Sequence, residues 1–363
     1  MVGLVRNLHR AWDHEADCLR LRPDPGFSLS ACSGLAGGLL APGIALVTAD
    51  PNAAATPTAF MPLVPTETPI PTATATPGPT ATQVPVNPWG SYPGPIEPSA
   101  IEIPPPMPEI ALGKGTVTIA LLGSDIRPND GGWRTDTILI VSLDPSAGRV
   151  RILSVPRDLY VYIPGWRVDR INVADVHGGF DMLAQTIHYN FGIPVDHMMR
   201  INFSGFTQLV DTLGGLDVNS TGYLNDECGG KWWSYGPGVY HMGGYEALCY
   251  VRMRKASSDY DRLRREQEVL LAIADRLISL NGLSRVPELY EQFHAMVKTD
   301  VEINDLLPLV PLATTVAADR SRVSLHRVDS TLTTPWLVPY SGASVLLPNR
   351  DAILAMLQAA FAT

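Results

Sequence analysis

The sequence predicts a single mixed α/β domain in which a central β-sheet is covered by helices on both faces. Three apolar segments, 117–122, 137–143 and 151–155, have the length and the β-branched content of strands, and turn-forming residues separate them. A longer segment, 259–280, carries leucine and alanine at helical spacing, with charged residues beside them. Strands and helices that alternate along one chain are typical of this architecture.

The remaining elements of the domain are predicted from the same periodicities. Ser204 is a suitable N-terminal cap, and paired glycines at 214 and 215 are suitable for ending the helix that it begins. The predicted elements are helices over 180–191, 204–213 and 350–361, strands over 198–203, 216–218 and 247–252, and a loop over 222–244 that is rich in Gly, Trp and Tyr.

The N-terminal part of the chain predicts a membrane anchor. Residues 27–49 run for 23 positions without a charge, which is long enough for a helix to cross the roughly 30 Å hydrocarbon core of a bilayer. Arginines precede this segment, and no Lys or Arg follows it until Lys114. This asymmetry predicts a short cytoplasmic segment at 1–26 and a single pass through the cell membrane, with the C-terminal part outside. A cleaved signal peptide is the alternative interpretation.

A proline-rich segment separates the predicted anchor from the domain. Residues 51–109 contain 17 of the 32 prolines in the chain and no basic residue. Since so few large apolar side chains cannot bury a core, we expect residues 50–112 to form a disordered extracytoplasmic stalk. The globular domain is then 113–363, with its motifs concentrated in 117–280.

Composition and cysteine content limit the function classes. The chain has 363 residues, 45% of them hydrophobic, and a formal net charge of −9. An acidic balance argues against nucleic acid as a partner, because such proteins favour basic surfaces. Cys228 and Cys249 lie in the exported part, where a disulfide persists. Two unpaired cysteines, with Cys249 simply buried, explain the sequence equally well.

Charged residues collect where the predicted strands and helices end or begin. Several arginines in one pocket require an anion, and a pyrophosphate held with Mg²⁺ by a pair of carboxylates fits that need. Solvated surface ion pairs are the competing explanation. The residues are Asp125, Arg127, Arg134 and Asp136, then Arg157 and Asp158, and finally Arg252, Arg254, Asp259, Arg262, Arg265 and Gln267.

The order and spacing of these motifs resemble the LytR-CpsA-Psr (LCP) family. The resemblance extends over about 117–280 and rests on GSDIR, WRTDTILIVSLDP, ILSVPRDLYV, RINVADVHGG, VDHMMRINFSGFTQLVDTLGGLDV, HMGGYEALCYVRMR and DYDRLRREQEVL. It implies an LCP-like fold tethered outside the membrane. It also implies a phosphotransferase that moves a glycopolymer phosphate from a polyprenyl-pyrophosphate carrier to a cell-wall hydroxyl, usually on peptidoglycan.

The resemblance also implies roles for individual residues. Asp125 and Asp136 match positions that coordinate Mg²⁺, for which Mn²⁺ is a substitute, and Asp125, Asp136 and Arg157 are the expected catalytic residues. The expected pyrophosphate-binding residues are Arg134, Arg157, Asn172, Arg252, Arg254, Arg262, Arg265 and Gln267. Two positions depart from the family pattern: Arg170 stands where lysine is common, and Glu266 where a first glutamine is common.

The mechanism expected from these charges is direct phosphoryl transfer. The acceptor hydroxyl attacks the distal phosphorus, a carboxylate (Asp125 or Asp136) takes its proton, and the metal and the arginines stabilise the departing polyprenyl phosphate. The apolar face of 259–280 is a candidate wall for the lipid. Two other functions stay open: a pyrophosphatase that uses water as acceptor, and a non-catalytic protein that binds polyprenyl lipids or wall polymer.

Overall fold

A computed structural model describes residues 90–126, 133–254, 258–280, 284 and 286–362 of the chain. The predicted anchor at 27–49 and most of the predicted stalk lie outside the described residues. Within the described ranges, no helix combines the length and the hydropathy needed to span a bilayer.

The described chain alternates between strands and helices, as predicted. The strands are β1 (Val117–Ser124), β2 (Thr135–Asp144), β3 (Arg149–Ser154), β4 (Tyr160–Tyr162), β5 (Val168–Arg170), β6 (His197–Asn202), β7 (Leu216–Ser220), β8 (Leu224–Cys228), β9 (Lys231–Tyr235), β10 (Gly238–Met242), β11 (Val297–Thr299), β12 (Val323–Arg327), β13 (Thr333–Leu337) and β14 (Ser344–Pro348). The α-helices are α1 (Ala174–Phe191), α2 (Phe203–Thr212), α3 (Gly244–Arg252), α4 (Asp259–Ser279), α5 (Val286–His294), α6 (Ile303–Leu306), α7 (Val310–Ala318) and α8 (Arg350–Phe361). Short 3₁₀ turns lie at Ile171–Val173, Leu307–Leu309 and Arg320–Arg322.

A six-stranded mixed sheet forms the centre of the fold, in the order β11-β6-β1-β2-β3-β12. The strands β1, β2 and β3 form an antiparallel meander, and a four-residue turn connects β2 to β3. Strand β6 runs parallel to β1, and β12 runs parallel to β3. The remaining strands form four separate two-stranded ribbons. This mixed sheet confirms the predicted fold class.

Helices cover both faces of the sheet. Successive side chains of a strand point to opposite faces of the sheet. The central strands carry apolar side chains on both faces. On one face, Leu122 and Ile140 are buried in a core that α1 and α8 complete. On the other face, Leu121 and Leu139 line a cavity roofed by α2, α3 and α4.

Residues 90–112 belong to the folded domain, so the prediction that the disordered stalk extends to residue 112 is wrong over this stretch. Met107 and Ile110 are buried in the main core. The backbone N–H of Met107 donates to the carbonyl of Tyr189 at 2.8 Å, and the Tyr189 hydroxyl donates to the carbonyl of Pro104 at 2.7 Å. Proline lacks an N–H but keeps its carbonyl, so a proline-rich segment can still dock through acceptors and a few apolar side chains.

Two local predictions in the C-terminal half are also wrong. Residues 244–252 form helix α3, although 247–252 were predicted as a strand. The buried positions of this segment include Gly244, Ala247 and Leu248, which is a helical spacing that a six-residue window does not separate from a buried strand. Residues 222–244, predicted as a loop, contain the hairpin β8–β9 and strand β10, which pairs with β7.

A disulfide joins Cys228 to Cys249, with 5.8 Å between their Cα atoms. This bond decides between the two readings that the sequence left open. It links the end of β8 to the middle of α3, so the hairpin β8–β9 is covalently fixed to that helix.

Removal of this disulfide is expected to lower the free energy of unfolding by about 3 kcal/mol, because the 21-residue separation closes a loop of moderate length. Urea unfolding of a Cys228→Ser/Cys249→Ala double variant, with and without reductant, measures the change. The wild-type protein should lose stability on reduction and the double variant should not. Equal midpoints for both proteins under oxidising conditions would contradict the assignment.

Candidate functional site

A cavity of about 350 Å³ lies between the sheet and the helices α2, α3 and α4. Its walls are largely apolar, since alternate residues of β1, β2 and β6 face the apolar stripes of the three helices. The apolar lining includes Leu121, Leu139, Met199, Ile201, Phe203, Phe206, Leu209, Leu248, Val251, Val269, Leu270 and Ile273. The charged lining is Asp125, Asp136, Arg157, Arg252, Arg254, Arg262 and Glu266. An apolar cavity that ends in charged groups fits an amphiphilic ligand with a long apolar tail and an anionic head.

The two carboxylates are brought together by the antiparallel pairing of β1 and β2. Asp125 follows the last residue of β1, and Asp136 is the second residue of β2. The backbone N–H of Arg134 donates to Asp125 Oδ1 at 2.6 Å, and the Asp125 N–H donates back to the carbonyl of Arg134 at 3.2 Å. These two bonds fix the Asp125 carboxylate at the end of the strand.

Arg157 follows β3 and forms the link between the carboxylates and the arginines. Its Nη1 donates to Asp136 Oδ1 at 3.0 Å, and its Nε donates to Asp158 Oδ2 at 3.3 Å. Burial disfavours the charged guanidinium, but Asp136 and Asp158 outweigh this effect and raise the pKa of Arg157. The guanidinium therefore stays charged and in a fixed orientation.

Two further arginines come from the C-terminal end of α3. Arg252 is its last residue, and Arg254 follows two positions later. Both are exposed at the cavity. The Arg252 guanidinium lies 4.2 Å from the centre of the Phe203 ring, a cation–π contact that holds the side chain across the cavity.

Arg262 carries buried donors that point to an anion-binding position. Arg262 is only 5% exposed, yet its Nε and Nη2 atoms have no hydrogen-bond partner among the described residues. Its guanidinium forms only long ion pairs, in which Nη1 lies 3.4 Å from Asp259 Oδ1 and Nε lies 3.5 Å from Glu266 Oε1. Because a buried donor without a partner is costly, these atoms indicate a ligand oxygen at this position.

Glu266 lies one helical turn beyond Arg262 and also lines the cavity. The Thr137 hydroxyl donates to its Oε1 at 2.8 Å, while Oε2 has no partner among the described residues. Burial raises the pKa of Glu266 to about 7, although Arg262 and the Thr137 hydrogen bond both oppose this shift. Near neutral pH a large share of this side chain is the neutral acid, which resembles the glutamine common in the family at this position.

The raised pKa of Glu266 predicts a pH-dependent stability. Between the ordinary carboxyl value and about pH 7, the unfolded chain releases this proton while the folded protein keeps it, so the free energy of unfolding falls as pH rises through this window. Glu266→Gln should remove this fall, which is on the order of 2 kcal/mol. Urea unfolding at pH 5 and pH 8 measures it. Glu109→Gln, at an exposed carboxylate, serves as the control and should keep the wild-type slope; a wild-type slope for Glu266→Gln would refute the expectation.

Four predicted pyrophosphate-binding residues do not line the cavity. Arg265 is fully buried and donates to the backbone carbonyls of Asp261, Tyr250 and Met253. The Gln267 amide donates to the carbonyl of His326 at 2.8 Å. Asn172 is buried behind Arg157, whose carbonyl accepts its backbone N–H at 3.3 Å. Arg134 is exposed and contributes its backbone to Asp125.

Sequence reasoning missed the residues that build the apolar wall on α2 and the charged position on α4. Phe203, Phe206 and Leu209 recur at a spacing of three, which marks one face of the helix. Glu266 is spaced four residues from Arg262 and three from Val269, so the helical period pointed to Glu266 instead of its neighbour Gln267.

The donor set suits magnesium. Asp125 and Asp136 are two carboxylates at one end of a single cavity, and Mg²⁺ is usually held by one or two carboxylates together with substrate phosphates and water. In the described part of the chain, no group of three or more His, Cys, Asp or Glu residues converges as an all-protein metal cage.

Comparison with known proteins identifies the group to which this arrangement belongs. The LytR_cpsA_psr family model matches residues 98–360. The polyisoprenyl-teichoic acid–peptidoglycan teichoic acid transferase TagU of Oceanobacillus iheyensis is 32% identical over 224 residues, which are 60% of this chain and 68% of that protein. The corresponding transferase TagT of Bacillus subtilis is 32% identical over 222 residues, 59% of this chain and 69% of TagT.

Solved structures show the same fold. The crystal structure of B. subtilis TagV superposes with a TM-score of 0.58 at 24% identity, and covers 69% of this chain and all (100%) of TagV. A structure of TagT bound to LIIa-WTA superposes with a TM-score of 0.52 at 27% identity, and covers 68% of this chain and 89% of TagT. The family match extends over most of the described domain, and the chain is therefore a member of the LytR_cpsA_psr family.

Proposed function

We propose that this protein transfers a glycopolymer phosphate from a polyprenyl-pyrophosphate carrier to a hydroxyl of peptidoglycan. The observation that carries this proposal is one cavity with an apolar body and a charged end, in which two buried nitrogens of Arg262 have no hydrogen-bond partner within the described ranges. An apolar body suits a polyprenyl chain, and converging arginines suit a pyrophosphate. Relatives whose names describe teichoic acid transfer to peptidoglycan support the same reaction.

The residues at the charged end divide the work of the transfer. Arg157, Arg252 and Arg262 bind the phosphate oxygens and orient the distal phosphorus. The acceptor hydroxyl oxygen forms a bond to that phosphorus, and the bond from phosphorus to the bridging oxygen breaks. The electron pair of the broken bond leaves with the polyprenyl phosphate, whose new charge the arginines stabilise. Asp125 or Asp136 accepts the proton of the attacking hydroxyl.

Asp125 and Asp136 are also the residues that would hold Mg²⁺, or Mn²⁺ in its place. When bound, the ion neutralises phosphate oxygens and so complements the arginines. Removal of divalent ions with a chelator is expected to lower the transfer rate at least about tenfold, because loss of one electrostatic contact to the transition state has an effect of at least this size. Restoration by Mg²⁺ completes this test, and full activity in the chelator would remove the metal from the proposal.

A single transfer assay distinguishes this function from its alternatives. The full chain in detergent, Mg²⁺, a polyprenyl-pyrophosphate-linked glycan and a peptidoglycan oligomer are incubated together, and the products are separated. A phosphodiester-linked polymer–peptidoglycan product supports transfer. Release of glycan phosphate without acceptor would identify a pyrophosphatase, while tight lipid binding without any product would identify a binding protein.

The proposed location is the outer side of the cell membrane. We assign residues 27–49 as a single-pass anchor with a cytoplasmic N-terminus, because the 23 uncharged residues follow an arginine-containing segment. Protease added to intact protoplasts should cleave the domain. Protection of the domain from that protease would rule out this orientation.

A further inference from the structure

The hairpin β8–β9 has one face that does not contribute to the core. Its inward side chains, Leu224 and Tyr235, are buried in a core formed with β7, α3 and α4. The outward positions alternate with these, and cross-strand pairing places Asn225 opposite Ser234 and Glu227 opposite Trp232. All four of these outward residues are exposed. We call them, with Tyr223, the hairpin face.

Two large aromatic rings lie exposed on the hairpin face. Tyr223 is 83% exposed and Trp232 is 62% exposed. The Trp232 Nε1–H donates to Asn225 Oδ1, which fixes the orientation of the indole. The Tyr223 ring lies against Gly236, where even an added Cβ would come within 3.3 Å of it. Both rings are therefore held in place with a flat side available, and rigid aromatic groups bind at a low entropic cost.

The polar groups beside the rings indicate the class of ligand. An amide, a hydroxyl and a carboxylate come from Asn225, Ser234 and Glu227. Aromatic faces stack on the C–H faces of sugar rings, while amide and hydroxyl groups bond to sugar hydroxyls. Lys231 lies over Trp233, 3.7 Å from the ring centre, on the turn side of the hairpin. None of the five hairpin-face residues is basic, so the face fits a neutral glycan better than a phosphate polymer.

The spacing of the rings requires a ligand longer than one sugar. Tyr223 lies four residues before Glu227, which faces Trp232 across the hairpin. At about 3.4 Å per residue the Cα positions of the two aromatic residues are roughly 14 Å apart, and the Trp232 indole leans towards Asn225, so the gap between the rings is shorter than this. Contact with both rings at once requires at least two linked sugars.

The hairpin face is attached to the wall of the cavity. The Cys228–Cys249 disulfide links the hairpin to α3, and the Tyr235 hydroxyl donates to Glu246 Oε1 of the same helix at 2.8 Å. Cys249 precedes the cavity residue Arg252 by one helical turn. A ligand on the hairpin face is thus held by a hairpin that is covalently linked to the helix ending at the cavity residue Arg252.

We propose that the hairpin face binds a neutral glycan chain and so holds the acceptor strand on the domain that carries the cavity. The second part rests on the proposed transfer to peptidoglycan, whereas glycan binding itself does not.

The test measures binding of β-1,4-linked N-acetylglucosamine oligomers to the full chain in detergent by titration calorimetry. Trp232→Ala and Tyr223→Ala should each weaken binding by about tenfold, the effect of removing one well-placed aromatic contact. Trp232→Phe should retain most of the affinity. Tyr340→Ala, which removes an aromatic that is 64% exposed on another hairpin, should bind as the wild type does. The hexamer should bind more tightly than the dimer, and added salt should not weaken it.

Each outcome bears on the proposal. Wild-type affinity in Trp232→Ala, or no oligosaccharide binding by the wild type, overturns it. Binding of isolated stem peptide or of an anionic wall polymer that requires Trp232, in place of the oligosaccharide, overturns it as well. In the transfer assay, Trp232→Ala should raise KM for the acceptor and leave kcat nearly unchanged. Glycan binding without any transfer by the wild type would remove the proposed function alone, whereas transfer without glycan binding would remove this inference alone.

Discussion

Arg157→Ala is expected to lower the kcat of polymer transfer by about 10²- to 10³-fold, which is typical when one charged group that stabilises the transition state is lost. Arg157 contacts Asp136 directly and lines the end of the cavity with Arg262. Its removal takes away a phosphate-binding charge and also releases the Asp136 carboxylate. Steady-state transfer kinetics with lipid-linked donor and peptidoglycan oligomer measure the change.

Two matched variants make this result specific. Arg157→Lys keeps the charge but loses the planar double contact to Asp136 and Asp158, so it should fall between alanine and wild type. Arg322→Ala removes an arginine that pairs with Asp319 on the surface and should transfer at the wild-type rate. Thermal unfolding confirms that each variant is folded. Full activity of Arg157→Ala would show that the site is elsewhere.

Arg265→Ala is expected to lower the free energy of unfolding by about 3–5 kcal/mol, the cost of breaking a buried charged network. The Arg265 guanidinium binds the carbonyls of Tyr250 and Met253, at the end of α3, where a helix leaves its last carbonyls without partners. Burial lowers the pKa of Arg265 to about 10, so the side chain is still charged at neutral pH. The charge also complements the negative end of the α3 dipole.

Urea unfolding separates this structural role from a direct role in binding. Arg254 is exposed and follows Met253, whose carbonyl Arg265 binds, and Arg254→Ala should change stability by less than about 0.5 kcal/mol. Arg265→Lys retains one donor group and should recover part of the loss. A midpoint for Arg265→Ala equal to that of Arg254→Ala would contradict the structural role of Arg265 at the end of α3.

Strong periodicity made much of the fold predictable. The segments 117–122 and 259–280 carry unambiguous strand and helix patterns, and both elements lie where they were expected. Residues 247–252 have too few positions to separate two periods, so only the packing of α3 against α2 and α4 decides their conformation. The proline-rich segment 90–112 docks through backbone acceptors and two buried side chains, which composition does not report.

The sequence predicted which charged residues belong to the candidate site better than it predicted which way their side chains point. Asp125, Asp136 and Arg157 follow or begin strands, and neighbouring strands bring such positions together at one end of the sheet. Arg262 and Arg265 are one turn apart on α4, yet the first lines the cavity and the second lies under α3. That difference depends on which neighbour covers each side of the helix, and the sequence of α4 alone does not contain it.

The docking of residues 90–112 shortens the stretch of chain that could serve as a tether between the proposed anchor and the cavity. The Arg350 Nη2 of α8 donates to the carbonyl of Pro105 at 2.7 Å, and Ile110 donates its N–H to the carbonyl of Gly192. These 23 residues are therefore part of the domain and add nothing to the length of a tether. At about 3.3 Å per extended residue they would otherwise add roughly 75 Å of reach. For the anchor proposed at 27–49, the shorter tether would limit the domain to a correspondingly thinner layer of the wall, and the acceptor strands within reach would be those nearest the lipid carrier.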